Sequence, residues 1–71
     1  MRLSTRNQLP GTVTEVNLGS VMATVKVRLD GGGDQVVTSS ITKEAAQELG
    51  LAEGTAVTVL VKSTEVMLGV E

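Results

Sequence analysis

Three clusters of hydrogen-bond donors stand out in a chain that has few reactive side chains. They span residues 4–7 (Ser-Thr-Arg-Asn), residues 38–42 (Thr-Ser-Ser-Ile-Thr) and residues 62–64 (Lys-Ser-Thr). A doubly charged oxyanion has no proton to donate, so it needs several convergent donors and about two compensating cations. Arginine meets that need through its planar fork and lysine through its compact charge. The residue types therefore indicate oxyanion binding without naming the anion.

Each cluster taken alone also has an ordinary structural explanation. Ser39, Ser40 and Thr42 are residue types that cap helix N-termini. Lys62 is typical of a solvated strand end, and Arg6 lies in a terminal segment. The anion hypothesis therefore depends on the three clusters acting together.

The chain lacks the side chains that most catalytic sites require. It contains no histidine and no cysteine, which removes most nucleophilic and general-base arrangements and disfavours a soft or borderline metal site. Its eight carboxylates are dispersed along the chain, without the spacing of a calcium-binding loop. We therefore expect a binding protein without catalytic activity and without a bound metal cation.

The composition predicts a small domain that benefits from assembly. A chain of 71 residues forms one domain with a marginal core, and the hydrophobic 41% includes no aromatic residue. Disulfides are excluded, so we expect apolar surface to be shared between subunits. The net charge of −2 and the isoelectric point near 5.0 argue against a nucleic-acid partner. No apolar run is long enough to span a membrane and no signal peptide is evident, so we expect a cytoplasmic protein.

Hydrophobic alternation predicts three strands in the first half of the chain. The clearest runs from Val21 to Leu29 with a period of two, and the glycine triplet at 31–33 then predicts a hairpin turn. Residues 35–38 form the return strand. An earlier strand covers residues 11–18, where the alternation slips and indicates a bulge.

The second half predicts one helix and two further strands. Residues 43–49 are mostly good helix formers, the residues before them can cap the helix, and Gly50 is a natural terminator. Valines alternate at 57–61, and a second alternation resumes at 66–70. The fold class is therefore all-β with one short helix, in the order β-β-β-α-β-β. Five strands with the helix between strands 3 and 4 are typical of an OB-like β-barrel.

Motifs along almost the whole chain resemble the molybdate-binding Mop domain, a TOBE-like domain. Residues 3–11 (Leu-Ser-Thr-Arg-Asn-Gln-Leu-Pro-Gly) are similar to its Ser-Ala-Arg-Asn opening, and residues 61–67 (Val-Lys-Ser-Thr-Glu-Val-Met) to its closing motif. Residues 38–42 and 49–54 also match, in the right order. The closing motif is the most specific of these segments.

The resemblance implies a single Mop domain over residues 1–71, of the free-standing kind called a molbindin. It further implies an OB-like barrel that assembles as a hexamer, a trimer of dimers. Molybdate, with tungstate as a possible substitute, would bind at subunit interfaces without catalysis. The implied role is intracellular molybdenum storage, buffering or homeostasis.

Matching positions imply the molybdate ligands. Ser4 and Arg6 match the opening motif, and Lys62 and Ser63 match the closing motif. Thr5 replaces the usual alanine, so its role would run through the backbone N–H.

Other implied ligands depart from the family pattern or rest on weaker matches. Thr42 falls at the family's threonine position after the isoleucine, while Ala45 stands where some relatives have a hydroxyl. Ser39 or Ser40 can substitute for that group. A second class of site on the threefold axis would involve Gly19 and Ser20.

Two other functions stay open from the sequence. One is a structural assembly module, in which the polar clusters are only caps and turns. The other is nucleic-acid binding through an OB-like face, which normally uses aromatic stacking and a basic groove. The absence of aromatic residues and the acidic balance disfavour the second.

Overall fold

Four antiparallel strands form one curled sheet in the computed structural model, which describes residues 1–71. The strands lie in the spatial order β3-β2-β1-β4. The elements are β1 (Asn7–Leu18), β2 (Met22–Leu29), β3 (Val36–Thr42), α1 (Lys43–Glu48), β4 (Ala56–Val61) and a 3₁₀ turn (Ser63–Glu65). An all-β class with one short helix is confirmed. Neither α1 nor the 3₁₀ turn is long and apolar enough to cross a membrane.

The alternation of β2 builds the core. Ala23, Val25 and Val27 are buried, while the residues between them are exposed. Val25 and Val27 pack against Val13 of β1, which is only 1% exposed. Just 6 of the 71 residues are buried, so the core is as thin as the missing aromatic residues predict.

A groove on the concave side of the sheet stays open to solvent. Residues of all four strands line its volume of about 240 Å³, together with Leu49 and Leu51 beyond the helix. The two edge strands β3 and β4 therefore curl towards a common space without pairing with each other. The sheet is a half-barrel in a single chain.

The bulge predicted in β1 is confirmed. The register of β1 against β2 shifts between Val13 and Glu15, which leaves Thr14 as the extra residue. The Thr14 hydroxyl donates a hydrogen bond to the carbonyl of Lys26 at 3.3 Å. The extra residue bends β1 at the point where the sheet curls.

The glycine hairpin is confirmed, but the strand that follows it is longer than predicted. Gly33 has φ +67°, and the Leu29 amide donates to the Gln35 carbonyl across the turn. β3 continues to Thr42, where only residues 35–38 were expected as strand. Cross-strand pairing with β2 over the whole length of β3 outweighs the local capping preference of Ser39 and Ser40.

The helix begins and ends at the signals in the sequence. The Ala45 amide donates to the Thr42 hydroxyl at 3.0 Å, so Thr42 is the N-cap. At the other end Gly50 has φ +65° and its amide donates to Gln47. The Leu51 amide donates to Ala46, which completes a Schellman motif.

β1 starts four residues earlier than the sequence predicts. Its first half pairs with β4 from Asn7 opposite Val61 to Thr12 opposite Ala56. Pro10 lies within this segment, and its carbonyl accepts from the Asp30 amide at 3.1 Å. The Pro10 nitrogen, which carries no hydrogen, faces the same side as this carbonyl. That side lies just beyond the end of β2, so proline removes little of the hydrogen bonding between β1 and β2.

The predicted fifth strand is absent from the single chain. Residues 66–71 carry no strand, and Met67, Leu68 and Val70 are at least 93% exposed. The alternation at 66–70 is real, but no strand of the same chain lies beside it to pair. The observed sheet therefore has four strands instead of five.

Gly11 provides a direct test of the close approach between β1 and β2. A Cβ at Gly11 would lie 2.6 Å from Val27 Cγ1 and 2.8 Å from the Arg28 carbonyl oxygen. We expect Gly11→Ala to destabilise the fold by about 1–3 kcal/mol and to lower Tm by roughly 5 °C or more, measured by thermal unfolding. Gly31→Ala is the control, because nothing lies within 4 Å of that position. Equal melting temperatures for the two variants would contradict this packing.

Candidate functional site

The end of the β1–β4 ladder brings the first and third polar clusters together. Asn7 lies opposite Val61 in the last pair of the ladder. Arg6 precedes Asn7 and Lys62 follows Val61, so the two cations are the next residues beyond this pair, one on each strand. We call the group formed by Ser4, Thr5, Arg6, Lys62 and Ser63 the cationic end. Residues 56 positions apart in the sequence thus become neighbours through strand pairing alone.

The groups of the cationic end face solvent and are not engaged elsewhere. Ser4, Arg6, Lys62 and Ser63 are exposed, and Thr5 is half-buried. The side-chain hydrogen bonds of the structure involve none of these side chains. Two cations and several hydroxyls are therefore free to contact a ligand.

Local bonds shape the two segments of the cationic end. The Gln8 side-chain amide donates to the Thr5 carbonyl at 2.7 Å. On the other segment the Glu65 amide donates to the Lys62 carbonyl at 2.9 Å, which turns the chain directly after the cation. Both segments are thus turned at the points where their donors lie.

The middle cluster is divided between the two faces of β3. Ser39 is half-buried and lines the apolar groove, whereas Ser40 is exposed on the opposite face. Successive residues of a strand point to opposite sides, so Ser39 and Ser40 cannot both face one ligand from the same chain. Their expected role as helix caps is wrong, since both lie within the strand.

Thr42 lies beside the turn between β1 and β2. An open polar depression of about 430 Å³ is lined by Ser20, Thr42 and Lys43, with Glu44 and Gln47 on the helix side. The Lys43 amide donates to the Val21 carbonyl at 2.7 Å and ties the start of the helix to that turn. Ser20, expected at a second site with Gly19, is therefore a neighbour of Thr42.

The two groups of donors lie at opposite ends of the sheet. Thr42 pairs with Met22, which follows the turn at the end of β1, whereas the cationic end lies at the start of β1. The twelve residues of β1 correspond to a contour of roughly 36 Å. A single chain therefore joins the first and third clusters and leaves Thr42 of the second cluster at the other end of the sheet.

Two residues near these sites have contacts that the sequence analysis did not predict. The Asn7 side chain, one of the donors of the first cluster, donates across the sheet to the Val61 carbonyl at 3.1 Å. Lys43 brings a half-buried cation to the depression at Ser20 and Thr42. The position of Lys43 directly after a capping threonine was the available signal, whereas no local pattern predicts the bond from Asn7 to Val61.

The Thr42 cap gives a prediction for the depression. Removing the hydroxyl in Thr42→Ala should cost about 1 kcal/mol of stability, because the Ala45 amide then loses its partner. Thr42→Ser keeps the hydroxyl and should retain most of that stability. Thermal unfolding and amide hydrogen exchange at Ala45 check both. Unchanged exchange at Ala45 in Thr42→Ala would contradict the capping role.

Comparison with known proteins gives consistent matches over the chain. Residues 3–68 match the TOBE domain family. "Molybdenum-pterin-binding protein 3" of Clostridium pasteurianum is 46% identical over 68 residues, which cover 96% of this chain and 97% of that protein.

Solved structures share the fold. MopII from Clostridium pasteurianum superimposes with a TM-score of 0.89 at 39% identity, covering 97% of this chain and 100% of the other. The cytoplasmic molybdate-binding protein ModG, with molybdate bound, gives a TM-score of 0.91 at 44% identity. All of this chain is covered in that comparison, but only 49% of ModG.

Proposed function

The chain belongs to the TOBE domain family, and we propose that it binds molybdate, a tetrahedral oxygen-bearing dianion. Membership confirms the resemblance seen in the sequence. Tungstate, which has the same shape and charge, is the expected competitor. Relatives named as molybdenum-pterin-binding proteins and a neighbour with molybdate bound support the proposal.

One observation carries the assignment of the site. The β1–β4 ladder ends at Asn7 opposite Val61, so Arg6 and Lys62 are the next residues of the two strands, with Ser4 two residues before Arg6 and Ser63 directly after Lys62. Two cations match the two negative charges of the anion, and the hydroxyls supply further donors. We therefore propose Ser4, Arg6, Lys62 and Ser63 as side-chain ligands, with Thr5 contributing its backbone N–H.

We propose that a second copy of the chain completes the site. The cationic end is open to solvent, whereas Thr42 lies at the opposite end of the sheet and Ser40 on the face away from the groove. A site between subunits would supply those donors and exclude water. We assign Ser39 no direct contact, because its side chain faces the apolar groove.

Exposed apolar residues support assembly of the chain. Met67, Leu68 and Val70 are almost fully exposed in the single chain, and the sheet has two unpaired edges. Such surfaces are normally covered by a partner. We propose a homo-oligomer, a hexamer formed as a trimer of dimers, in which residues 66–70 act as the fifth strand of the barrel.

The proposed role is binding without catalysis. Reversible capture of molybdate by a domain of this size suits intracellular storage, buffering or homeostasis of molybdenum. The likeness to ModG, described as cytoplasmic, supports a cytoplasmic location. A second site at Gly19 and Ser20 is proposed beside the polar depression that Ser20 and the half-buried Lys43 line.

Charge removal tests the cationic end. The double variant Arg6→Ala/Lys62→Ala should bind molybdate roughly 100-fold more weakly, because it loses two charged hydrogen-bond donors. Titration calorimetry with molybdate, tungstate and sulfate measures the effect. Lys26→Ala/Arg28→Ala is the matched control, since it removes two exposed cations from β2 and gives the same net charge. Equal losses in both double variants would show only a general charge effect and contradict the site.

The assembly is tested through the exposed C-terminal segment. Leu68→Asp should weaken subunit association by roughly 100-fold, because a charge would be buried without a partner. Native mass measurement should give wild-type masses well above 7.3 kDa and a shift towards the monomer in the variant. Asn17→Asp adds the same charge at an exposed position of β1 and should leave the assembly intact. A monomeric wild-type protein would overturn the proposed assembly.

A further inference from the structure

We infer that Asn7 is a positioning residue for the cationic end: its side-chain amide holds Arg6 and Lys62 beside each other so that one oxyanion contacts both. The inference rests on the proposed function, because it concerns the same anion. Asn7 itself is not assigned as a ligand.

The bond made by Asn7 lies at the last pair of the ladder, directly next to the two cations. Asn7 Nδ2 donates to the Val61 carbonyl oxygen at 3.1 Å, joining residues 54 positions apart. Arg6 is the residue before the donor, and Lys62 is the residue after the acceptor. Each cation is therefore adjacent in sequence to one of the two residues that form this hydrogen bond.

No other side chain links β1 to β4 by a hydrogen bond. Of the side-chain hydrogen bonds in the structure, only that of Asn7 joins β1 to β4. Thr12 and Thr14 bond to Asp30 and Lys26 on the β2 side, and Gln8 bonds within its own segment. Asn7 is also half-buried, whereas Arg6 and Gln8 on either side of it are exposed.

Without such a bond, the end of the β1–β4 ladder would separate easily. Terminal pairs of a sheet separate at low free-energy cost, and like charges on neighbouring strands repel each other. None of the side-chain hydrogen bonds restrains either cation. An anion that binds while Arg6 and Lys62 are apart must bring them together again, and the free-energy cost of that ordering weakens binding. The Asn7 bond makes that rearrangement unnecessary.

Three variants test the inference by titration calorimetry with sodium molybdate, well below the melting temperature of each. Asn7→Ala should bind about fivefold more weakly, the loss expected for one hydrogen bond. Asn7→Asp has the same shape but cannot donate, and its charge offsets one cation, so its affinity should fall further. Thr12→Val removes a different side-chain hydrogen bond of β1, the one to Asp30, and should bind within about twofold of wild type.

Two further readouts separate positioning from general stability. In Asn7→Ala both cations remain, so the decline of affinity with salt should keep its wild-type slope, whereas Lys62→Ala should flatten it. Amide hydrogen exchange at Asn7 and Val61, the last pair of the ladder, should accelerate in anion-free Asn7→Ala and stay unchanged in Thr12→Val.

The outcomes distinguish this inference from the proposed function. If wild type binds molybdate and Asn7→Ala binds equally well, the inference fails while the proposed function stands. If wild type binds no molybdate, both fail. If Thr12→Val loses as much affinity as Asn7→Ala, the effect is general to β1 and the positioning role is overturned.

Discussion

The pairing of β1 with β4 is the constraint on which the rest of the molecule depends. It begins at Asn7 opposite Val61 and runs through the buried Gly11 opposite Val57. This pairing fixes one wall of the apolar groove and, at its outer end, sets Arg6 beside Lys62. A register slip of one residue turns every side chain of a strand to the other face of the sheet. Such a slip of β4 against β1 would put Arg6 and Lys62 on different faces and would expose the groove valines to solvent. Fold and site thus share one interaction.

The thin core gives a physical reason to propose the binding site and the assembly together. A single chain closes only half of a barrel and leaves its apolar groove, two strand edges and the C-terminal segment exposed. Burial of those surfaces against other copies would supply stability that 71 residues without aromatic side chains lack. At the proposed subunit boundary, water would be excluded from the anion, and its charged contacts would be stronger than in bulk water.

Local signals in the sequence predicted local structure well. The alternation of β2, the glycine turn, the bulge after Val13 and the helix stop at Gly50 all depend on residues close together in the chain. The early start of β1 and the strand conformation of Ser39 and Ser40 depend on pairing with distant strands. The donor types were recognisable from the sequence, but the meeting of Arg6 with Lys62 and the bond from Asn7 follow from long-range register, which composition does not encode.

The central claim is that the two segments at the end of the β1–β4 ladder bind one anion together. An NMR titration of the ¹⁵N-labelled protein with molybdate measures this most directly. The account predicts that amide shifts of residues 4–7 and 61–64 change together and saturate at the same molybdate concentration, while those of the buried β2 valines stay nearly constant. Changes confined to residues 20 and 42–43, or different saturation points for the two segments, would contradict it.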